Sequence, residues 1–388
     1  MDRQMRRRLL DDEIAIDEEA ERVPEFHTVR IENQCTMTGS ADPSTSSADV
    51  PTSVVVTSSE EGVGRMKKWQ VHQGRNRFAC GGRLVCSRSH GAFVVTVALM
   101  VITLALHFVF DAPFLWQYSA AISIVAAVIS LLVISNFIAT SFTDPGILPR
   151  VDNIEVIETD RQLATEHNPS NDPAIGRPKF RDVIVNGETV RLKYCTTCRL
   201  YRPPRCTHCA VCDNCVLMFD HHCPWVGNCI GLRNYAYFYR FVATLSVLIV
   251  YLFACAVAHI TLLVQNMPFG EAMRKTPGSP VVVVVCFFTI WSIAGLSCFH
   301  TYLLCADLTT NEDLKGVYRK KPQRGTHANG GEIVTTASAR PVKNPFYTGC
   351  VKSFCWRLFK SPFPSVLDAS SYIDEQPKIV IQVPKSSK

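Results

Sequence analysis

Residues 193–238 read KYCTTCRLYRPPRCTHCAVCDNCVLMFDHHCPWVGNCIGLRNYAYF. Eight cysteines lie between Cys195 and Cys229, interleaved with His208, His221 and His222, so that eleven soft or borderline ligands share one short stretch. Short Cys-x-x-Cys steps mixed with histidines are the pattern of a metal site, since a disulfide scaffold has no use for the histidines. Cys195-x-x-Cys198 and Cys209-x-x-Cys212 can each turn two thiolates toward one ion. Each pair then needs two further ligands, drawn from His208, Cys215, His222 and Cys229. Two tetrahedral zinc ions take eight of the eleven groups and leave three over. The stretch holds too little aliphatic material to build a core, so metal supplies on the order of 10 kcal/mol of folding free energy per site. A reducing compartment follows for this segment.

Within it, Asp220-His221-His222-Cys223-Pro224-Trp225 has the composition of an activated thiol. An imidazole beside a thiol favours the thiolate, and a carboxylate can orient and charge the imidazole. A zinc-bound thiolate is quenched, so the thiol left out of the metal count is the best nucleophile in the chain. Cys223 is that candidate; which of the two histidines binds metal and which acts as base is left open by the spacing.

Outward from this stretch lie four long apolar segments, at residues 91–110, 119–139, 241–264 and 281–305, none containing Asp, Glu, Lys or Arg. About 20 apolar residues suffice to cross a bilayer, and a charge at its centre costs a few kcal/mol. The expected fold is therefore an α-helical membrane protein, with four transmembrane helices and a two-zinc cysteine-rich domain (residues 191–238) between spans two and three. A mean hydropathy of +0.10 over 388 residues, 47% of them hydrophobic, agrees with apolar spans diluted by polar tails. Lys67, Lys68, Arg75, Arg77, Arg83 and Arg88 precede the first span, and Lys315, Arg319, Lys320 and Lys321 follow the fourth. Arg150, Arg233 and Arg240 flank the long loop between spans two and three. The loop DAPFLWQY carries no basic residue and the loop between spans three and four only Arg274 and Lys275. The positive-inside rule then puts both termini and the cysteine-rich domain in the cytosol.

The start, MDRQMRRRLLDDEIAIDEEAE, lacks the apolar stretch of a cleavable signal peptide. Residues 1–65 and 361–388 have the composition of disordered tails. Residues 66–90 read as a juxtamembrane segment, 140–190 as a cytosolic linker and 306–360 as a cytosolic C-terminal region. His107, His259 and His300 fall within spans and read as histidines packed toward the bundle interior. A net charge of +6 is modest, and no basic recognition helix follows the knuckles, so no nucleic-acid partner is expected.

Residues 193–238 resemble the cysteine-rich domain of the DHHC protein S-acyltransferases (palmitoyltransferases), through Cys195, Cys198, Pro203, Arg205, His208, Cys209, Cys212, Cys215, Asp220 to Cys223, Trp225, Asn228, Cys229, Gly231 and Asn234. Asp144-Pro145-Gly146 resembles the family's DPG motif, Thr309-Thr310-Asn311-Glu312 its TTxE motif, and Asn344-Pro345-Phe346-Tyr347 sits where its C-terminal membrane-packing motif belongs. The resemblance spans residues 75–360, and the wording around the motif is most like the Ras-palmitoyltransferase branch. Cys206 departs from it, standing where many members carry serine.

The resemblance implies one zinc on Cys195, Cys198, His208 and Cys215 and a second on Cys209, Cys212, His222 and Cys229. It implies Cys223 as the acyl-carrying nucleophile, His221 as its base and Asp220 as the group orienting His221. Acyl-CoA would be the co-substrate, with Arg202, Arg205 and Arg233 meeting its phosphates and Trp225 and Phe219 walling the site. Protein substrates with an accessible cysteine, membrane lipids and a small accessory subunit would be the partners. The Golgi would be the membrane, with the endoplasmic reticulum or plasma membrane as alternatives. Asp144 and Thr309-Thr310 read as polar turns that cap span ends and hydrogen-bond the zinc module. The nearest rival is a membrane-anchored two-zinc RING-like ubiquitin ligase, but such domains end in Cys-x-x-Cys, whereas this one ends Cys223-x5-Cys229. Ion transport is disfavoured, because no acidic residue lines the segments read as spans.

Overall fold

The computed structural model describes residues 66–151, 180–318, 343–359 and 363–373; the expectations for residues 1–65 and 374–388 and for most of the linker lie outside them. Residues 68–370 form one unit, and Met66–Lys67 fall with Ser371–Ile373 in another, where Ile373 N–H donates to Met66 O at 2.9 Å.

Among the described residues, four helices are long and apolar enough to cross a membrane: Gly91–Trp116, Ala120–Phe142, Tyr235–Val264 and Gly278–Ala306. From Gly91 to Leu106 no side chain is buried, and Val101 is 60% exposed. So much bare aliphatic surface is tolerable only against lipid. On the second span the buried positions Ser123, Ala126, Ser130, Val133, Phe137 and Thr140 recur every three or four residues, giving one stripe. The second and fourth spans both pack against the third. Their shared core includes Ala126, Val133, Phe137, Phe241, Leu252 and Val282.

The first helix continues past Phe110, where its apolar run stops in the sequence, to Trp116. It does so through one wider turn at His107–Asp111 that places the Asp111 carboxylate inside the bundle, 0% exposed. His259 Nδ1 lies 2.9 Å from Asp111 Oδ1, the Ser279 hydroxyl donates to the same oxygen, and His107 Nδ1 stands 3.4 Å from Oδ2. Two of the three span histidines are thus packed in the interior, on an acid that hydropathy alone assigned to a loop. The third helix likewise starts at Tyr235, inside the stretch read as the zinc module, so that one helix runs from the module into the bilayer.

Between the second and third spans the chain folds as short antiparallel pairs. Phe180–Val185 pairs with Glu188–Cys195, which pairs in turn with Leu200–Tyr201. Asn214–Val216 lies between Ile147–Leu148 and Thr207–Cys209, and His221–Cys223 pairs with Asn228–Ile230. Asp144, just past the second span, caps the turn that follows: its Oδ1 accepts from Gly146 N and Ile147 N, each at 2.9 Å. Gly231 admits no side chain, since a Cβ there would meet Pro145 O at 2.6 Å and Leu217 O at 2.9 Å.

The residues expected to begin a disordered tail at 361 are instead placed from Phe363 onward. Leu367 and Ala369 are buried in the cluster formed by Val85, Ile147 and Val216, and Trp69 N–H donates to Ala369 O at 3.0 Å. Composition missed them because two apolar side chains in a polar run are enough when residues far off in sequence form an apolar cluster to receive them.

Asn228, 0% exposed, ties the hairpin to the bundle. Its Nδ2 donates to Val85 O, Ser141 O and Thr143 O at 3.0–3.1 Å, and its Oδ1 accepts from Cys229 N–H. Replacing Asn228 by Leu strips those carbonyls of a donor in a dry place and should cost about 2 kcal/mol or more. Thermal unfolding in detergent should show it as a lowered midpoint; an unchanged midpoint would mean that these bonds do not hold the module to the spans.

Candidate active site

Two groups of side chains converge in the cysteine-rich segment: Cys195, Cys198, His208 and Cys215, and Cys209, Cys212, His222 and Cys229, with ligand atoms within 4.8 Å of one another in each. After each Cys-x-x-Cys the backbone reverses through a left-handed residue, Arg199 (φ 59°) or Asp213 (φ 55°), whose N–H donates to the first cysteine's carbonyl at 2.7 Å. His208 Nδ1 lies 3.4 Å from Cys198 Sγ, 3.6 Å from Cys195 Sγ and 3.9 Å from Cys215 Sγ. His222 Nδ1 lies 3.5 Å from the sulfurs of Cys212 and Cys229, which are 3.5 Å apart. Zinc bonds of ordinary length make a tetrahedron with edges of about 3.5–3.8 Å, so both sets of three sulfurs and one nitrogen fit that ion without rearrangement. His208 Nε2 also stands 3.5 Å from Asp213 Oδ1, the carboxylate–histidine support that metal-binding imidazoles favour. Cys206, 8% exposed, packs beside the first group but belongs to neither.

The strand His221–Cys223 sorts the remaining residues. Successive side chains on a strand point to opposite faces. His222 stands opposite Cys229 across the hairpin and faces the second metal group. His221 and Cys223 therefore share the other face, toward the bundle, where Cys223 (6% exposed) joins the cluster of Val226, Ile230, Phe238 and Phe241. The period of a strand thus puts the two histidines on opposite faces, His222 with the second group of ligand atoms and His221 with Cys223. Gly227, in the turn at φ +67°, lets the hairpin approach the first span, where Phe93 lies 3.2 Å from the position of a Cβ.

His221 Nδ1 bonds Asp220 Oδ2 at 2.8 Å. Asp220, 1% exposed, also accepts from Thr310 N–H at 2.9 Å and from the Thr310 hydroxyl at 2.6 Å. Burial opposes charge on Asp220, but the His221 bond and charge overcome it and hold the carboxyl down at about 2. Burial likewise opposes a proton on His221, yet its hydrogen bonds to Asp220 and Cys223 raise it to about 9. A carboxylate, an imidazole and a thiol thus come together at the base of an apolar bundle.

Thr310 opens a short helix, Thr310–Leu314, whose cap is reciprocal: the Thr309 hydroxyl accepts from Glu312 N–H, and Glu312 Oε2 accepts from Thr309 N–H. Glu312 also takes two bonds from Arg205, at 2.9 and 2.8 Å, while Arg205 Nη1 reaches Asp307 Oδ1 at 3.0 Å. Arg205 is consequently no phosphate ligand: its side chain is 5% exposed and its fork is filled by two carboxylates and the Asp307 carbonyl, with the Phe346 ring 4.8 Å away. Phe219 is also displaced from its expected place, packing with Trp69 and Phe78 on the second metal group's core instead of beside Cys223.

The other expected residues are placed variously. Trp225 is 56% exposed on the hairpin turn. Arg202 is half-buried, with an Nε that finds no hydrogen-bond partner. Arg233 binds Asp144 through its carboxylate at 2.9 Å and the Phe363 carbonyl at 2.7 Å. It also borders a small cleft with Tyr237, Arg240, Trp356 and Arg357. The sequence reading missed Tyr235 and Phe238 at the site, since both fall in the stretch 191–238 read as the zinc domain, ahead of the apolar run that begins at 241. It also missed His300, for which a titratable group in an apolar span was the available signal.

Residues 188–317 match the DHHC palmitoyltransferase family. Over 309 residues the chain is 47% identical to palmitoyltransferase ZDHHC18 of Mus musculus, covering 79% of this chain and 77% of that one. It is 42% identical to palmitoyltransferase ZDHHC14 of Homo sapiens, over 79% of this chain and 60% of the relative. Palmitoyltransferase ZDHHC18-B of Danio rerio is 42% identical over 312 residues, 79% of this chain and 76% of its own.

Denatured protein should release two zinc ions per chain, measured by a chromogenic chelator or by elemental analysis. Cys206→Ser should leave that number at two, whereas Cys198→Ser or Cys212→Ser should lower it. A variant of Cys206 that loses zinc would redraw the ligand sets.

Proposed function

The chain belongs to the DHHC palmitoyltransferase family, and on that premise we propose that Cys223 carries the acyl group, with His221 as its base and Asp220 holding His221. It is a multi-pass membrane enzyme, a protein S-palmitoyltransferase. The observation that supports the assignment of roles is the strand alternation: the same pleat that turns His222 to the metal ligands turns His221 and Cys223 together to the bundle.

The reaction runs in two half-steps. The Cys223 thiolate attacks the thioester carbonyl of acyl-CoA, the bond from that carbon to the CoA sulfur breaks, and CoA leaves as its thiol with the proton held on His221. A substrate cysteine then gives its proton to His221 and attacks the acyl-Cys223 thioester, which restores the Cys223 thiolate. Zinc bound to the two groups would fix the strands and hold their thiolates out of the chemistry. The apolar face below Cys223 suits a long acyl chain, whose sixteen carbons represent roughly 12 kcal/mol kept out of water. The cleft bordered by Arg233, Arg240 and Arg357 adjoins Tyr235 and offers the charge needed by CoA phosphates. Arg202 and the exposed Trp225 remain further contacts for the cofactor.

Charge near the span ends supports a cytosolic site, with substrates that present a cysteine at that face. The likeness to the Ras-palmitoyltransferase branch supports a Golgi membrane and a small accessory subunit.

In nanodiscs with a clickable acyl-CoA, the wild-type enzyme should acquire a hydroxylamine-labile label that Cys223→Ser lacks at equal zinc content. Label persisting in the variant would place the acyl group elsewhere. For the cleft, Arg240→Gln should raise the KM for acyl-CoA several-fold with little change in kcat, because charge there touches the phosphates and not the reacting carbon. An unchanged KM would remove the cleft from the CoA site.

A further inference from the structure

His300 sits in the fourth span, 1% exposed, with no part in the two half-steps above. Its surroundings are nevertheless those of the active site. One ligand atom each from Asp220, His221 and His300 lie within 4.8 Å of one another. The His300 ring meets Phe238 edge-on at 4.9 Å, Phe238 meets His221 edge-on at 5.3 Å, and the two imidazole centroids are 6.0 Å apart, so the three rings form one cluster. On its other side, His300 Nδ1 lies 3.0 Å from the Tyr235 hydroxyl.

That hydrogen bond has a direction. The Arg357 guanidinium lies over the Tyr235 ring at 4.1 Å and is anchored by its own bond to Leu308 O at 2.7 Å. A cation on the ring face makes the phenol O–H a better donor. The hydroxyl therefore donates to Nδ1, and His300 is neutral with its proton on Nε2. With Nδ1 taken by Tyr235, Nε2–H is the group left for the dyad.

The geometry points to His300, locked by Tyr235, as a positioning residue that presents a fixed N–H dipole to the buried Asp220–His221 pair. The inference rests on the roles proposed for Asp220, His221 and Cys223. A buried polar pair keeps its geometry only when its remaining lone pairs meet fixed donors. Thr310 supplies two of them from beyond the fourth span. His300 faces the pair from within it, with a ring nitrogen within 4.8 Å of both, and Phe238 packs edge-on against His221. The Arg357–Tyr235–His300 series also links the C-terminal helix Cys350–Phe359 to the reacting centre.

The test uses full-length protein in nanodiscs and measures single-turnover formation of acyl-Cys223 at varied acyl-CoA, with zinc content and unfolding midpoint recorded for each variant. His300→Leu, which keeps bulk but no polar edge, should lower the limiting rate about ten- to hundredfold, the cost of letting a reacting group drift. Its KM and two zinc ions should be unchanged. His300→Gln, which can accept from Tyr235 and donate to Asp220, should recover most of that rate. Tyr235→Phe removes one oxygen, keeps the ring under Arg357, and should lose several-fold in the same rate constant.

Wild-type rates in His300→Leu or Tyr235→Phe would overturn the proposal. So would a His300→Gln as slow as His300→Leu, or losses that follow zinc content, since either result marks a packing role. Should His300→Leu fail to fold, the pair Tyr235→Phe and His300→Gln decides by the same criteria. Failure of the underlying site assignment would be seen separately, as wild-type protein that forms no hydroxylamine-labile adduct on Cys223.

Discussion

A carboxylate removed from water must have its oxygens met by donors or give up its charge, and Asp220 is removed almost entirely. Its partners come from two places: the imidazole of the next residue, and the backbone and hydroxyl of Thr310, 90 positions on. The chain leaving the fourth span is thereby obliged to return to the strand that carries Cys223. The reciprocal cap at Thr309 and Glu312 shapes that return, and Arg205 fastens it by filling its fork with Glu312 and Asp307. The zinc module, the end of the bundle and the C-terminal segment are held in one register by the need to keep a single acid charged.

The module has little else to hold it. Its interior consists largely of cysteine side chains and a few aliphatic residues such as Ile147 and Val216. Such a core is too small to order the strands, so metal ligation sets their spacing and buried polar bonds set their placement on the spans. Asn228 and Asp144 do this at the second span, and Arg233 extends the same network to the Phe363 carbonyl. Apolar contact enters on the face that carries Cys223, where the hairpin merges with the bundle through Val226, Ile230 and Phe238. One side of a three-residue strand thus faces a group of potential metal ligands and the other is hydrocarbon-lined, and the thiol lies where the two environments meet.

Much of this was legible in the sequence. Apolar length revealed four spans, and the ligand types and spacings of Cys195–Cys229 revealed two metal groups, because both signals are local. What escaped was relational. Asp111 ended an apolar run on paper, yet His259 and Ser279 give it partners that no window on the first span contains. Arg205 looked like a phosphate ligand until Asp307 and Glu312, about a hundred residues away, were brought to it by the fold. Phe219 was misplaced because sequence proximity to Cys223 says nothing about which face of the module a ring joins. Leu367 and Ala369 were hidden in a polar tail, since their burial depends on a groove made elsewhere.

The alternation of the strand His221–Cys223 also limits how this segment can vary. Substitution acts on one side chain, but inserting or deleting one residue within Asp220–Cys223 would invert the facing of everything beyond it. The thiol would turn to the metal and a ligand would turn to the hydrocarbon, so catalysis and folding would fail in the same event. No path of small length changes leads through such a segment. It behaves as an indivisible word in the chain's grammar, open to respelling at its margins and closed to any change in its number of letters.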